Sequence, residues 1–341
     1  MKNIIKLLAI IAFVAVIGFS FTACGGDDDN GGNQGGNQGG NQGGGEGGGP
    51  TNWIAVSGSP FGTSGLNYVA FGGGRWIATG GGNQIGYSND GVSWTTSRDN
   101  PIGSYIVYAN GRWLASGENN YAILYSSDGT TWTTATETLF SNRDSLTDSI
   151  NAIGYGNNRW VAASNFGAMA YSTDNGVTWT VGTDSIFGSW LSYVSAFAWG
   201  NGRFVAVGND GKMAYSTDGI NWTVGTNNPE RTMHDIAYGN NRFVAVGNRR
   251  TAYSTDGINW TTVIFNFSLT DIAFGNGRFV AVGEDGGIAY SSDGANWTVV
   301  PNRPFPIQDS SGSTFNVRDV AYGNGKFVAV AEDGMMAYCD W

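Results

Sequence analysis

One block of residues recurs seven times in this chain, and the recurrence limits the fold more than any single motif. Each copy runs as a short apolar strand, a tight turn built from Gly and Asn, a basic residue and an alternating strand. Six copies then close on variants of Tyr-Ser-x-Asp-Gly-x-x-Trp. The basic residue falls at Arg75, Arg112, Arg159, Arg203, Arg242, Arg278 and Lys326, at spacings of 36 to 48 residues. A period of this size marks a repeat architecture, in which one unit cannot bury its own apolar surface and must stack on the next.

The residue after each basic position is Trp76, Trp113, Trp160, Phe204, Phe243, Phe279 or Phe327, and an alanine follows two residues later in every copy, from Ala78 to Ala329. A period of two puts aromatic and alanine on one face of a strand and Val, Ile or Leu on the other. A strand apolar on both faces is covered by a sheet on each side, which describes the blades of a β-propeller. The 55 glycines agree, since glycine weakens a helix interior by roughly 1 kcal/mol against alanine but serves every turn that needs positive φ. Asn-Gly pairs at 110, 201, 276 and 324 are two-residue hairpin signals that join the first strand of a blade to the second. The expected fold is all-β: seven four-stranded antiparallel blades over residues 51–341.

The seventh unit stops at Tyr338-Cys339-Asp340-Trp341 without room for a fourth strand, while the domain begins with Asn52-Trp53-Ile54-Ala55-Val56, which matches Asn221-Trp222-Thr223-Val224. The N-terminal segment is therefore expected to complete the last blade and close the ring, removing its open edge. Cys339 takes the place of the serine in the truncated seventh copy.

The recurrent turns resemble the Asp-box, the bacterial neuraminidase repeat of sialidases, sortilin-type receptors and photosystem II assembly factor-like propellers. Their aspartates are Asp90, Asp128, Asp174, Asp218, Asp256 and Asp293, followed by Trp94, Trp132, Trp179, Trp222, Trp260 and Trp297. Only Ser172-Thr173-Asp174-Asn175-Gly176-Val177-Thr178-Trp179 has the full family spacing; the other five are one residue shorter, which counts against sialidase chemistry more than against the fold. The resemblance implies that these aspartates are structural and that their face lies away from the ligand. Locally, an Asp carboxylate at a turn accepts backbone N–H bonds, the serine supports it, and the tryptophan anchors the hairpin.

The opposite face receives the connections between blades, which vary from residues 98–104 to 135–150, 182–194, 225–233, 263–269 and 300–317. Variable loops on a rigid scaffold are where binding is expected. Arg143, Trp190 and Arg231 lie in them. At the entrance of the inner strands, Asp235, Asp271 and Asp319 share one column in three successive blades, beside His234 and Arg318, with Tyr68, Tyr105, Ala152 and Ala196 in the other four. One reading is a rim of carboxylates at the mouth of the channel that holds a cation or sugar hydroxyls. The other is aspartates that tie their own blades through backbone hydrogen bonds.

Lys2 and Lys6, the apolar run Leu7 to Ile17 and the segment Phe21-Thr22-Ala23-Cys24 have the three regions of a secretory signal. Phe21 to Cys24 resembles a bacterial lipobox, although Phe21 stands where leucine is usual. The resemblance implies removal of residues 1–23, a lipid on Cys24 and a cell-envelope lipoprotein at the outer membrane, the cell surface or the periplasmic side. The alternative is an uncleaved span, for which Leu7 to Ala23 is at the short limit. Residues 24–50 then form a tether with 14 glycines after Cys24 and no apolar side chain larger than proline. Its Asp27-Asp28-Asp29 is either an acidic sorting signal or solvated linker charge.

Net charge is −10, and −12 once the two signal lysines are removed from the 17 basic residues set against 27 acidic ones. No nucleic-acid partner is expected from such a balance. One histidine and two cysteines exclude a histidine-rich zinc site and a CxxC redox pair, so no metal or cofactor is expected. The sialidase family's Arg-Ile-Pro signature is absent, Arg303-Pro304-Phe305-Pro306 being a superficial likeness, and no motif sets a nucleophile beside His234. The expected function is a monomeric, membrane-anchored propeller that binds a glycan or protein and is not an enzyme. The alternatives are a glycoside hydrolase, which needs only two suitably separated carboxylates, and an assembly or scaffold factor.

Overall fold

The computed structural model describes residues 51–81, 84–97, 102–117, 121–136, 139–140, 149–182, 186–187, 192–226, 229–306 and 315–341. They form seven four-stranded antiparallel sheets. In six blades the strands follow chain order from the inside outward; in the seventh the outermost strand is Ile54–Ala55, from the other end of the domain. The inner strands are Leu66–Gly72, Ile102–Ala109, Ile150–Gly156, Val194–Gly200, Met233–Gly239, Leu269–Gly275 and Val317–Gly323. Each touches the next around the axis, and the last touches the first, so the ring is closed.

The second strands carry the core. Trp76, Ile77 and Ala78 are wholly buried, as are Phe204, Val205 and Ala206, because alternate residues pack against the sheets on either side. The aromatic of each second strand stacks on an inner-strand aromatic of its own blade, as in Phe71 on Trp76 at 4.8 Å and Tyr322 on Phe327 at 4.7 Å between centroids. These inner-strand rings also reach across the blade junctions. A Cβ at Gly323 in blade 7 would fall inside the ring of Phe71 in blade 1, and one at Gly200 would strike Tyr238. Glycine is required there by close approach of the next blade, whatever its φ.

At the closure, Ile54 pairs with Tyr338 and Ala55 with Ala337, and the Val56 N–H donates to the Met336 carbonyl at 2.9 Å. Trp53 is buried in the cluster that holds Phe327 and Cys339. Cys339 faces Phe327 across the strand pair as Ser88 faces Trp76, so the serine-to-cysteine correspondence read from the repeat holds in register. Burial pushes its thiol pKa up.

Candidate functional site

The recurrent turns are self-contained. In the first, Ser88 Oγ donates to Asp90 Oδ1 at 2.9 Å and accepts from the Gly91 amide at 2.8 Å, while Asp90 Oδ1 accepts from the amides of Val92 and Ser93 at 2.8 and 2.7 Å. The Trp94 indole donates to the Gly91 carbonyl. Asp128, Asp218, Asp256 and Asp293 repeat the serine and amide bonds, Asp174 does so with one residue more in its turn, and the indole bond recurs at Trp179, Trp222 and Trp297. Although desolvation opposes it, the amide bonds hold Asp90 and Asp293 down at about 2.

The repeated arginines belong to the same face. Arg112 Nη1 donates to the Asn175 carbonyl in the turn of the next blade at 2.9 Å, and Arg242 to the Asp293 carbonyl at 2.6 Å. Arg75 bonds to Asp128, Arg159 to Asp218 and Arg203 to Asp256 in the same way. Each of these five guanidinium groups also lies over a tyrosine of its own blade, Arg112 over Tyr125 at 4.8 Å. These cations join blade to blade and are spent there.

The other face is built differently. Arg231 is exposed on the connection into blade 5. It is followed by Thr232, whose hydroxyl accepts from the Asp210 amide of blade 4 at 3.3 Å and whose carbonyl accepts from the Asn248 amide at 3.1 Å. Arg318 pairs with Glu332. Arg303 donates to the Asp285 carbonyl at 2.6 Å and lies over Phe267, so its Arg-Pro-Phe-Pro segment fastens a loop. Arg143, Trp190 and Cys24 lie outside the described residues.

Asp210, Asp285 and Asp333 lie in the second-to-third turns of blades 4, 6 and 7. These three adopt positive φ of 53°, 57° and 54°, and the residues before them make the connections. Asn209 accepts from the Tyr193 amide at 3.0 Å, Glu284 from Ser268 at 3.1 Å and Glu332 from Asn316 at 3.0 Å. Their signal was positional: each directly follows the last residue of a second strand.

The axial column is set by a β-bulge. In six inner strands one extra residue, Asn67, Asn151, Ser195, His234, Thr270 or Arg318, interrupts the pairing just before the column, and in blade 2 the slip between Ile102 and Ile106 is larger. The bulge explains why His234 and Arg318 adjoin the column without sharing it. His234 bonds to Asn248, and desolvation lowers its pKa.

The structure brings Asp235, Asp271 and Asp319 together, and each bonds to the blade that follows. Asp235 Oδ2 accepts from the Ile272 amide at 3.0 Å, Asp271 Oδ2 from Val320 at 2.8 Å, and Asp319 Oδ2 from Val69 of blade 1 at 2.6 Å. Asp319 Oδ1 also accepts from its own neighbour Val320 at 2.9 Å. Asp271 hydrogen-bonds to both other carboxyls. Burial raises all three above the ordinary carboxylate range, Asp235 to about 6, and the flanking negative charges add to the rise at Asp271. Tyr68 and Tyr105, 5.1 Å apart between ring centroids, stand against the row, and burial followed by its charge raises both phenols. Among the described residues no group of His, Cys, Asp or Glu is arranged to hold a metal ion.

No family model matches the chain, and no curated protein matches it. Solved structures do match. YCF48 bound to D1 peptide is 14% identical with a TM-score of 0.62, covering 86% of this chain and 97% of that one. A catalytically inactive virginiamycin B lyase from Staphylococcus aureus with quinupristin is 13% identical at 0.67, covering 85% and 97%. The WD40 propeller domain of Doa1 is 10% identical at 0.60, covering 85% and 97%. At these identities the likeness establishes the propeller fold and nothing about chemistry.

Proposed function

We propose that this chain is a non-catalytic binding propeller of the cell envelope, anchored through a lipid on Cys24, with its ligand face at the long connections. One contrast carries the reading. The Ser-x-Asp turns and their arginines consume their polar groups on one another, whereas the other face varies in length and composition from blade to blade. YCF48 is bound to a peptide in one of the similar structures, which supports a peptide as one class of ligand. The axial carboxyls bond to amides and to one another, so they offer no separated acid and base pair for glycoside hydrolysis.

The test is binding of the full chain to glycan and peptide arrays, with fluorogenic glycosides in parallel. Saturable binding without turnover is the expected result; turnover would replace this reading with the hydrolase. The anchor is tested separately with a fatty-acid probe: wild type is labelled and Cys24→Ala is not.

A further inference from the structure

We propose that Asp235, Asp271 and Asp319 form a proton-held clasp that keeps the ring shut across the last three blade junctions, and that the clasp loosens as its protons leave. A hydrogen bond between two carboxyl groups needs a proton on one of them. Asp271 bonds to carboxyls on both sides, so the row is complete only when it carries protons. Each carboxyl also holds an amide of the next inner strand, Ile272, Val320 or Val69. The row therefore spans the junctions from blade 5 through 6 and 7 to blade 1, including the place where the two ends of the domain meet. Loss of the protons turns two hydrogen bonds into repulsions between charges that are buried at Asp319 and only partly exposed at Asp235 and Asp271.

The surroundings supply no cation inside the row. The inner strands beside it present Tyr68 and Tyr105, whose raised pKa keeps them neutral, and Ala152 and Ala196 complete the column. Arg318 acts on Tyr68 from the bulge position but is paired with Glu332. The short turns packed nearby bring acids, Glu284 and Asp285 before blade 7 and Glu332 and Asp333 before blade 1. Arg242, Arg278 and Lys326 begin the second strands, opposite the far ends of the inner strands.

The sign follows from the raised folded-state values. The unfolded carboxyls titrate near 4, so the clasp stabilises fully below that pH and is lost as pH rises through the raised folded-state values, about 6 at Asp235. His234 titrates in the opposite sense, because its folded pKa is depressed: protonation at low pH destabilises. His234→Gln removes that contribution.

The experiment measures melting temperature from pH 5 to 8 on the full chain in the His234→Gln background, with and without Asp271→Asn, whose amide donates at every pH. The parent is expected to lose several degrees between pH 5 and 8, and Asp271→Asn to flatten the slope and melt above the parent at pH 8. Amide exchange in wild type is the second readout, free of any folding defect in the variant. At Ile272, Val320 and Val69, exchange corrected for its intrinsic pH dependence should quicken by about tenfold or more over the same range, while the equivalent amides of blades 2 to 4 do not change in step. A melting temperature that is flat or rises with pH in the parent, or uniform exchange in all seven blades, overturns the proposal.

Discussion

The two faces of the ring are made by the same 28 strands among the described residues, yet they hold the blades together by different means. On the turn face, arginine donates to the carbonyl of the following turn at five successive junctions, from Arg75 to Arg242. On the connection face each blade makes its own arrangement, and the carboxyl row spans only the junctions from blade 5 to blade 1. A repeat that is uniform on one face and idiosyncratic on the other joins its blades by one device on the first and by several on the second.

The closure breaks this comparison most severely, because it serves both faces. Deleting Thr51 to Val56 removes the outer strand of blade 7 together with Trp53. The cost is expected to be on the order of 5 kcal/mol or more, since loss of a buried tryptophan alone costs about 3 to 5, and the bared edge invites aggregation. Deleting residues 25–50 should leave melting unchanged. Equal melting temperatures for the two truncations would show that the borrowed strand is dispensable.

Next come the turns. Trp222→Ala removes a ring that packs at 5.6 Å on Phe197 and 6.1 Å on Phe204. Asp218→Ala strips the acceptor from the amides of Ile220 and Asn221. Losses of about 3 kcal/mol for the tryptophan and about 1 to 2 for the aspartate are expected from packing and hydrogen bonding, read by denaturant titration, with ligand binding by the folded fraction unchanged. A binding defect at full stability would reverse the assignment of faces.

The repeat made most of this fold legible. Blade number, strand order, the borrowed strand and the role of Cys339 all follow from period and register, because every copy repeats the same local chemistry. The axial column was legible as residues but not as contacts. That the aspartates hold the next blade depends on the bulges, and those fall at residues as unlike as Asn67, His234 and Arg318. No shared residue type announces them. The glycines under the cross-blade aromatics, such as Gly323 under Phe71, stood next to the Asn-Gly turns and read as part of them.

Acid sharpens the comparison, since the two faces titrate apart. The turn aspartates have depressed values, about 2 at Asp90 and Asp293, so their contribution is present above pH 4 and is lost as pH falls through about 2. The axial row runs the other way. Melting temperature is therefore expected to peak near pH 4 to 5, and Asp90→Asn should soften only the acid limb. These turns are solvent-exposed, so the shift per turn is small. A common response of both limbs to Asp90→Asn would mean that the two faces are not independent.

The smallest effect on stability is expected where the effect on binding is largest. Arg231 is exposed, and it is the neighbouring Thr232 that makes the connections holding the segment to blades 4 and 5. Arg231→Ala should change stability by no more than about 0.5 kcal/mol, as exposed loop substitutions do. If the connection face holds the ligand, the same variant weakens binding, and Arg143→Ala and Trp190→Ala, on the two long connections before it, weaken it with little change in melting. Thr232→Val is the control. It removes the hydroxyl that accepts from the Asp210 amide, so it should lower stability, and binding should fall only as far as the loop moves. Undiminished affinity in all three loop variants, measured on folded protein, would move the ligand off this face and leave the variation of its loops without a purpose in recognition.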